Sequence, residues 1–263
     1  MSTPTMTPTP LDSAADATIP FLRLVKVELR KSADTRAGRW LLGIIVAITA
    51  LFMIIFFAVA DADDRVFGNF IGIAATPQGF VLPVLGILLV TSEWSQRTAM
   101  VTFALEPSRT KVIAAKTVAA LVLGFGVFLA ALLIGSLATL VGGSDGGFDD
   151  VKVGVIVLFL ALQLFTVLQG LAYGLIFLNT PAAIVVFFVV PIASSIIFSL
   201  VSGLADAAPW VDLGTAQEPL FSSFEGEIDL SGDEYAQLGT TTLIWIVLPF
   251  IAGWFRVMRA ELK

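Results

Sequence analysis

The sequence predicts an all-α polytopic membrane protein with six transmembrane helices, preceded by an amphipathic interfacial helix. Of its 263 residues, 57% are hydrophobic and only 14% are charged, whereas a soluble domain is nearer one quarter charged. The few charges are also unevenly placed, since six long blocks contain no Asp, Glu, Lys or Arg. A soluble fold cannot cover so much apolar surface, so a lipid bilayer is the expected solvent.

The N-terminal segment precedes the first apolar block. Residues 1–19 are rich in Thr, Pro and Ala and are expected to form a disordered cytoplasmic tail. Residues 20–31 predict a helix in the cytoplasmic interface, with its cations among lipid headgroups. Its apolar side would be formed by Phe21, Leu22, Val25 and Leu29. A plain basic flank of the first span also accounts for the charges.

Six spans account for the charge-free blocks. They are expected at about 40–60, 66–92, 117–142, 153–178, 181–203 and 238–255. Each block reaches the ~20 residues that a helix needs to cross ~30 Å of hydrocarbon. The alternating pattern of a membrane strand is absent. Residues 20–263 are therefore predicted to form one six-span domain.

The charges between the blocks sort by sign. Lys and Arg are concentrated in the N-terminal segment, in residues 93–116 and at the C-terminus. The other three connections are mainly acidic, with Arg65 and Lys152 as their basic residues. Because Lys and Arg collect on the cytoplasmic side, both termini and residues 93–116 are predicted to be cytoplasmic in a cell-membrane protein.

Several function classes are excluded by what the sequence lacks. It has no Cys and no His, which removes thiolate chemistry and the commonest metal ligand. No catalytic residue and no metal site is expected. The phosphate-binding pattern G-x-x-x-x-G-K-[ST] is absent, so the chain is not expected to hydrolyse ATP itself. No nucleic-acid partner is expected either.

Small residues recur on one face of the fourth span. Gly170 and Gly174 form a small-xxx-small pair, and Gln163 lies on the same face seven residues before Gly170. Small faces allow helices to approach closely, and Gln can hydrogen-bond across the contact. Two uses are open, packing within the subunit and a contact between two subunits, and the first is the more frequent.

The stretch Glu93–Lys116, EWSQRTAMVTFALEPSRTKVIAAK, interrupts the apolar pattern. It resembles the loop between the second and third spans of ABC-2 type permeases, the membrane subunits of ATP-binding-cassette exporters. In that family an acidic residue ends the second span, a short helix with a recurrent Thr follows, and a Pro-x-Arg precedes a Lys that opens the third span. The matching residues are Glu93, Thr98, Pro107, Arg109 and Lys116. The segment ELRKSADTR, Glu28 to Arg36, resembles the family's segment before the first span.

The resemblance implies a permease subunit that forms the transmembrane pathway of an exporter. It implies a second copy or close paralogue in the membrane, and a separate cytosolic ATPase that binds ATP and Mg, with no cofactor in this chain. The residues expected to couple the ATPase to the spans are Glu93, Trp94, Arg97, Thr98, Glu106, Pro107, Arg109 and Lys116. Those expected to contribute from the interfacial helix are Glu28, Lys31 and Arg36.

More detailed expectations concern single side chains. Trp94, Val101 and Leu105 recur at roughly helical spacing and are expected to pack against the membrane domain, with Pro107 ending the helix. Arg109 and, to a lesser degree, Glu106 are expected to contact the ATPase.

The sequence leaves some alternatives open. Glu93 and Arg97 alternatively form a structural pair at the inner end of the second span. Glu28 is expected to pair either with Lys31 or with a more distant cation. Two other functions are also open: a non-transporting membrane anchor or regulatory subunit, and an ATP-independent channel or facilitator.

Overall fold

The structure is a computed structural model that describes residues 19–142, 146–149, 151–222 and 230–261. Within these ranges the secondary structure is helical and no strand occurs. The predicted disordered tail falls outside the described residues except for Ile19.

The helices are numbered here in chain order. They are α1 (Phe21–Asp34), α2 (Arg36–Val59), α3 (Phe67–Ser95), α4 (Ala99–Leu105), α5 (Arg109–Gly142), α6 (Val153–Phe177), α7 (Thr180–Leu200), α8 (Ala208–Val211), α9 (Leu213–Ser222), α10 (Gly232–Thr242) and α11 (Leu248–Arg259). A π turn, Leu243–Val247, joins α10 to α11 into one long helix. Among the described residues, six helices are long and apolar enough to cross a membrane: α2, α3, α5, α6, α7 and the joined α10–α11. The predicted fold class is confirmed.

Several span helices extend beyond the charge-free blocks. α3 continues to Ser95 and so includes Glu93. α5 begins at Arg109 and includes Lys116 two turns later, instead of beginning at residue 117. The last span covers Gly232–Arg259 instead of 238–255. Glu93 and Lys116 lie inside these helices, where charged groups on neighbouring helices compensate them.

α3 and α6 form the centre of the bundle, and more than half of each apolar segment is buried. Their backbones approach closely at glycines on both helices. A methyl group added to Gly170 of α6 would overlap the carbonyl group of Pro83 in α3. One added to Gly174 would lie 3.0 Å from the carbonyl oxygen of Ile87. The structure thus places Gly170 and Gly174 in a contact within the subunit.

The connection after α7 is folded onto the bundle through Asp212, which is only 1% exposed. The Ser195 hydroxyl of α7 donates to both oxygens of this carboxylate, at 2.9 and 3.0 Å. The N–H and hydroxyl of Thr215 each donate to Oδ2 at 2.9 Å. Asp212 therefore attaches the start of α9 to α7. Nearby, Trp245 Nε1 donates to the carbonyl oxygen of Val211 at 2.7 Å.

The Asp212 anchor predicts a pH-dependent stability. Burial raises the pKa of Asp212, but hydrogen bonds from Thr215 and Ser195 favour the carboxylate more, so its pKa lies below the ordinary value. Its contribution is therefore present above the unfolded-state pKa of about 3.9 and is lost as the pH falls through the lower folded-state pKa. We expect Asp212→Asn to lower the free energy of unfolding by about 1–3 kcal/mol at pH 7.

Thermal unfolding in detergent at pH 7 and pH 3 measures this difference. The gap in Tm between wild type and Asp212→Asn should narrow at pH 3, because this pH lies below the unfolded-state pKa of about 3.9 and the unfolded chain is then protonated at this residue. Asp206→Asn, at an exposed position in the same connection, is the control and should leave Tm unchanged at pH 7. An equally wide gap at both pH values would rule out an ionised anchor.

Candidate functional site

Four charged side chains meet where α1, α3 and α5 come together. Lys116 Nζ lies 2.7 Å from Glu28 Oε2 and 2.9 Å from Glu93 Oε1. Lys31 Nζ lies 2.8 Å from Glu28 Oε1 and 2.6 Å from Glu93 Oε1. Each cation touches both carboxylates, so the four groups form a closed ring with no net charge. We call this set of residues the charge ring.

Most of the charge ring is shielded from solvent. The side chains of Lys116, Glu28 and Glu93 are 5%, 6% and 8% exposed, while Lys31 is 40% exposed at the edge. Lys116 also donates to the carbonyl oxygen of Leu89 at 2.9 Å. Burying a single charge is very costly, but two opposite charges and a hydrogen bond around each group offset that cost. The ring therefore ties α1 to α3 and α5.

Lys31 remains charged in this setting. Burial lowers the pKa of Lys31, but the carboxylates of Glu28 and Glu93 raise it more, so the pKa lies above its ordinary value. Its positive charge is therefore kept at neutral pH. Glu28 thus has both partners that the sequence left open, the local Lys31 and the distant Lys116.

α1 has one side against the protein and one exposed side. Val25 is buried and faces the protein, but Phe21 and Leu22 are 40% and 78% exposed. Glu28 is buried, because its carboxylate completes the charge ring. Arg36 does not belong to this helix. It lies exposed at the start of α2, after a break at Thr35 whose hydroxyl accepts from the N–H of Gly38 at 3.1 Å.

The turn into α4 depends on Arg97 and Thr98. Arg97 has a φ of 57°, in the left-handed region, and its side chain is exposed. The Thr98 N–H then donates to the carbonyl oxygen of Glu93 at 2.9 Å. The alternative of a Glu93–Arg97 pair is wrong, because Glu93 is occupied by Lys31 and Lys116.

The seven-residue helix α4 has one buried and one exposed side. Ala99 and Phe103, one helical turn apart, are buried, and the rings of Phe103 and Trp94 lie 6.5 Å apart between centroids. Val101 and Leu105, expected to pack against the membrane domain, are instead 60% and 70% exposed, as is Met100 at 50%. α4 ends at Leu105, two residues before Pro107. We call Met100, Val101 and Leu105 the α4 apolar face.

Glu106 and Arg109, the predicted ATPase contacts, are both engaged within the subunit. Glu106 is buried, and its Oε1 accepts from the N–H of Ser108 at 3.1 Å. Arg109 Nη1 donates to the carbonyl oxygens of Val257 and Ala260, at 2.6 and 2.9 Å. Its guanidinium also lies 5.2 Å from the centroid of the Phe103 ring. Arg109 therefore attaches α4 and α5 to the end of α11.

A groove of about 670 Å³ opens beside the charge ring. α1, α3, α4, α5 and the start of α2 line it, and its walls include Leu24, Leu41, Leu85, Val101 and Leu105. The four ring residues form part of its polar surface, together with neighbours such as Ser92, Gln96 and Glu106. The groove thus joins the α4 apolar face to a compensated cluster of charge.

Gln163 lies away from this site, in a separate cavity between α3, α6, α7 and α9. Comparison of the chain with models of protein families gave no match, and no curated protein matched it. In the part of the chain that the structure describes, no group of three or more acidic residues is placed to hold a metal ion.

Proposed function

We propose that this chain is the permease subunit of an ABC-2 type exporter in the cell membrane, with both termini in the cytoplasm. ATP and Mg would be bound by a separate cytosolic ATPase that docks on the side where α4 lies. The α4 apolar face carries the proposal. It consists of three large apolar side chains, exposed on a short helix between two spans. By charge, this connection is cytoplasmic.

The surroundings of α4 favour a protein partner. Exposed apolar side chains that lie together commonly mark a protein interface. The adjoining groove has an apolar wall with a polar floor, which suits the side chains of a docked helix. The charge ring gives that floor a fixed pattern of donors and acceptors. The partner proposed here would bury Val101 and Leu105 and cover Lys31, the exposed member of the ring.

The attachments of α4 support a coupling role. Phe103 packs into the hydrophobic core, Arg109 contacts the end of α11, and the charge ring at the end of α3 binds α1 and α5. A displacement of α4 would therefore also displace the helices to which it is attached. The proposed consequence is that closure of the ATPase moves α1, α5 and α11 together relative to lipid.

The proposed exporter also contains a second permease copy or a close paralogue. α2 and α7 offer the surface for it, since only 17% and 11% of their apolar segments are buried within the subunit. The other faces of these helices would contact membrane lipid.

The experiment is co-purification from membranes of the native host in mild detergent. We expect wild type to carry a P-loop ATPase and Mg-dependent ATP hydrolysis. The double variant Val101→Asp and Leu105→Asp should lose about tenfold or more of both, since every 1.4 kcal/mol of lost docking energy is a tenfold change. Both positions are exposed, so elution of the permease should stay monodisperse.

Val153→Asp is the matched control, because Val153 is 75% exposed at the other end of the bundle, at the start of α6. It should leave the co-purified ATPase at the wild-type level. A wild-type chain that brings down no P-loop protein would favour the anchor or the ATP-independent channel. Unchanged co-purification of the double variant would remove α4 from the interface.

A further inference from the structure

A second cavity, of about 240 Å³, lies between α3, α6 and α7, with α9 against it. Its apolar wall includes Phe80 of α3 and Phe188 of α7, whose rings stack with centroids 6.1 Å apart. Phe80, Ile192 and Phe221 are 59%, 56% and 49% exposed. The cavity therefore has an opening towards the outside of the subunit along these three side chains.

The polar part of this cavity comes mainly from α6. Gln163, Thr166 and Gln169 follow one another along one side of the helix, and Gln217 of α9 adds a third amide. The Thr166 hydroxyl donates to the carbonyl oxygen of Leu162 at 2.7 Å, so its proton is already used. Gln163 and Gln169 are only 2% and 5% exposed.

Both α6 amides have hydrogen bonds still to make. Neither Gln163 Nε2 nor Gln169 Nε2 makes a hydrogen bond of ordinary geometry in the described part of the chain, although the side chain of Gln169 is within hydrogen-bonding range of Tyr173. A buried amide N–H without an acceptor is costly, and such groups are rare in folded proteins. Two of them beside one cavity indicate that an acceptor arrives from outside the chain.

The lining also restricts the charge of that acceptor. No Asp, Glu, Lys or Arg lines the cavity among the described residues. An anion or a cation would therefore lose its hydration with no opposite charge to compensate it. A neutral carbonyl or ether oxygen avoids that cost and still accepts from an amide.

We propose that this cavity binds a neutral, largely apolar molecule through a carbonyl-type oxygen that accepts hydrogen bonds from Gln163 and Gln169. The aromatic wall holds its apolar body, and the opening at Phe80, Ile192 and Phe221 admits it from the lipid. Binding is inferred from the cavity alone. If the bound molecule is also the molecule that the exporter transports, that further role rests on the proposed function.

The test uses the purified full chain in lipid nanodiscs without any ATPase, so it can fail while the proposed function stands. The probe is benzophenone, a neutral aromatic ketone that forms covalent adducts with nearby C–H bonds under ultraviolet light. We expect saturable labelling that maps to peptides covering residues 162–169 or 213–221. Diphenylmethane, which lacks the carbonyl oxygen, should compete more weakly once partition into empty nanodiscs is subtracted.

Single variants distinguish the contribution of the two amides to binding from that of the apolar lining. Gln163→Leu and Gln169→Leu should each weaken the apparent affinity for benzophenone about two- to tenfold, as expected for one lost hydrogen bond. Gln78→Leu is the matched control, since Gln78 is 1% exposed but lies outside the cavity and donates to Thr49 at 3.1 Å. It should bind the probe like wild type. Monodisperse elution checks the folding of each variant.

Ile192→Trp provides a second route, because it obstructs the opening from an exposed position and removes no buried group. It should reduce labelling of the same peptides. The proposal is overturned if labelling is not saturable, or if it is saturable but equally strong in both α6 variants and in Ile192→Trp. In either case the cavity does not bind a carbonyl ligand through these two amides.

Discussion

Replacing Lys116 with Met is expected to lower the free energy of unfolding by about 3–5 kcal/mol, because it leaves buried carboxylates without their main partner. Lys116 contacts both Glu28 and Glu93 within 3 Å. Without it, Lys31 alone would face two buried negative charges from the solvent-exposed edge of the ring. Thermal unfolding in detergent and the monodisperse fraction on elution measure the loss.

Lys111→Met is the matched control on the same helix. Lys111 is 42% exposed and its nearest carboxylate oxygen, on Glu106, is 4.0 Å away, so its loss should cost less than about 1 kcal/mol. Adding Glu28→Gln to Lys116→Met restores a neutral set of charges and should recover part of the stability. If Lys116→Met were as mild as Lys111→Met, the charge ring would not hold α1, α3 and α5 together.

Gly170→Leu is the second substitution with a large expected effect. Even a methyl group at this position would overlap the Pro83 carbonyl group, so a Leu side chain must push α6 away from α3 at the centre of the bundle. We expect a loss of about 3 kcal/mol or more, at the upper end of overpacking effects. The measurements are Tm in detergent and oligomeric state by light scattering.

Gly126→Leu on α5 is its control, because no atom lies within 4 Å of an added Cβ there. It should keep the Tm of wild type. Since Gly170 faces α3 of its own subunit, Gly170→Leu should destabilise the protein before it changes the number of subunits. A change of oligomeric state at full stability would instead place this face between two subunits.

Six spans and an all-α fold were predictable because hydropathy and charge depend on composition along the chain. The ends of the spans were less predictable, because the charge of a residue does not show whether a partner compensates it in the fold. Lys116 and Glu93 were placed at span ends as charged residues, but charges 23 residues apart in the sequence neutralise each other inside the folded helices. Glu28 and Lys116 are 88 residues apart; the sequence left a distant partner for Glu28 open but does not identify Lys116 as that cation.

The short helix α4 illustrates a second limit. Seven residues complete about two turns, so several sets of apolar residues fit a helical period equally well. Val101 and Leu105 were chosen by spacing, whereas Ala99 and Phe103 face the protein. The direction of this helix depends on the left-handed turn at Arg97, a conformation rare outside Gly. Nothing in the local pattern predicts it.

Arg109 was predicted to contact the ATPase, but the sequence did not indicate the contact that it makes within the subunit. Its side chain reaches carbonyl groups of α11, 148 residues away for Val257. A charge-reversing substitution there would disturb α11 as well as any external partner. The exposed positions Val101 and Leu105 are therefore better places to test docking than Arg109.

Site-directed cross-linking in native membranes tests the proposed coupling to an ATPase most directly. The chain contains no Cys, so Val101→Cys can carry a single aryl azide, and Val153→Cys provides the equivalent label at the other end of the bundle. We predict that light links Val101, but not Val153, to a protein whose peptides include G-x-x-x-x-G-K-[ST]. Cross-links from Val101 to lipid alone, or equal cross-linking of that protein from both positions, would contradict it.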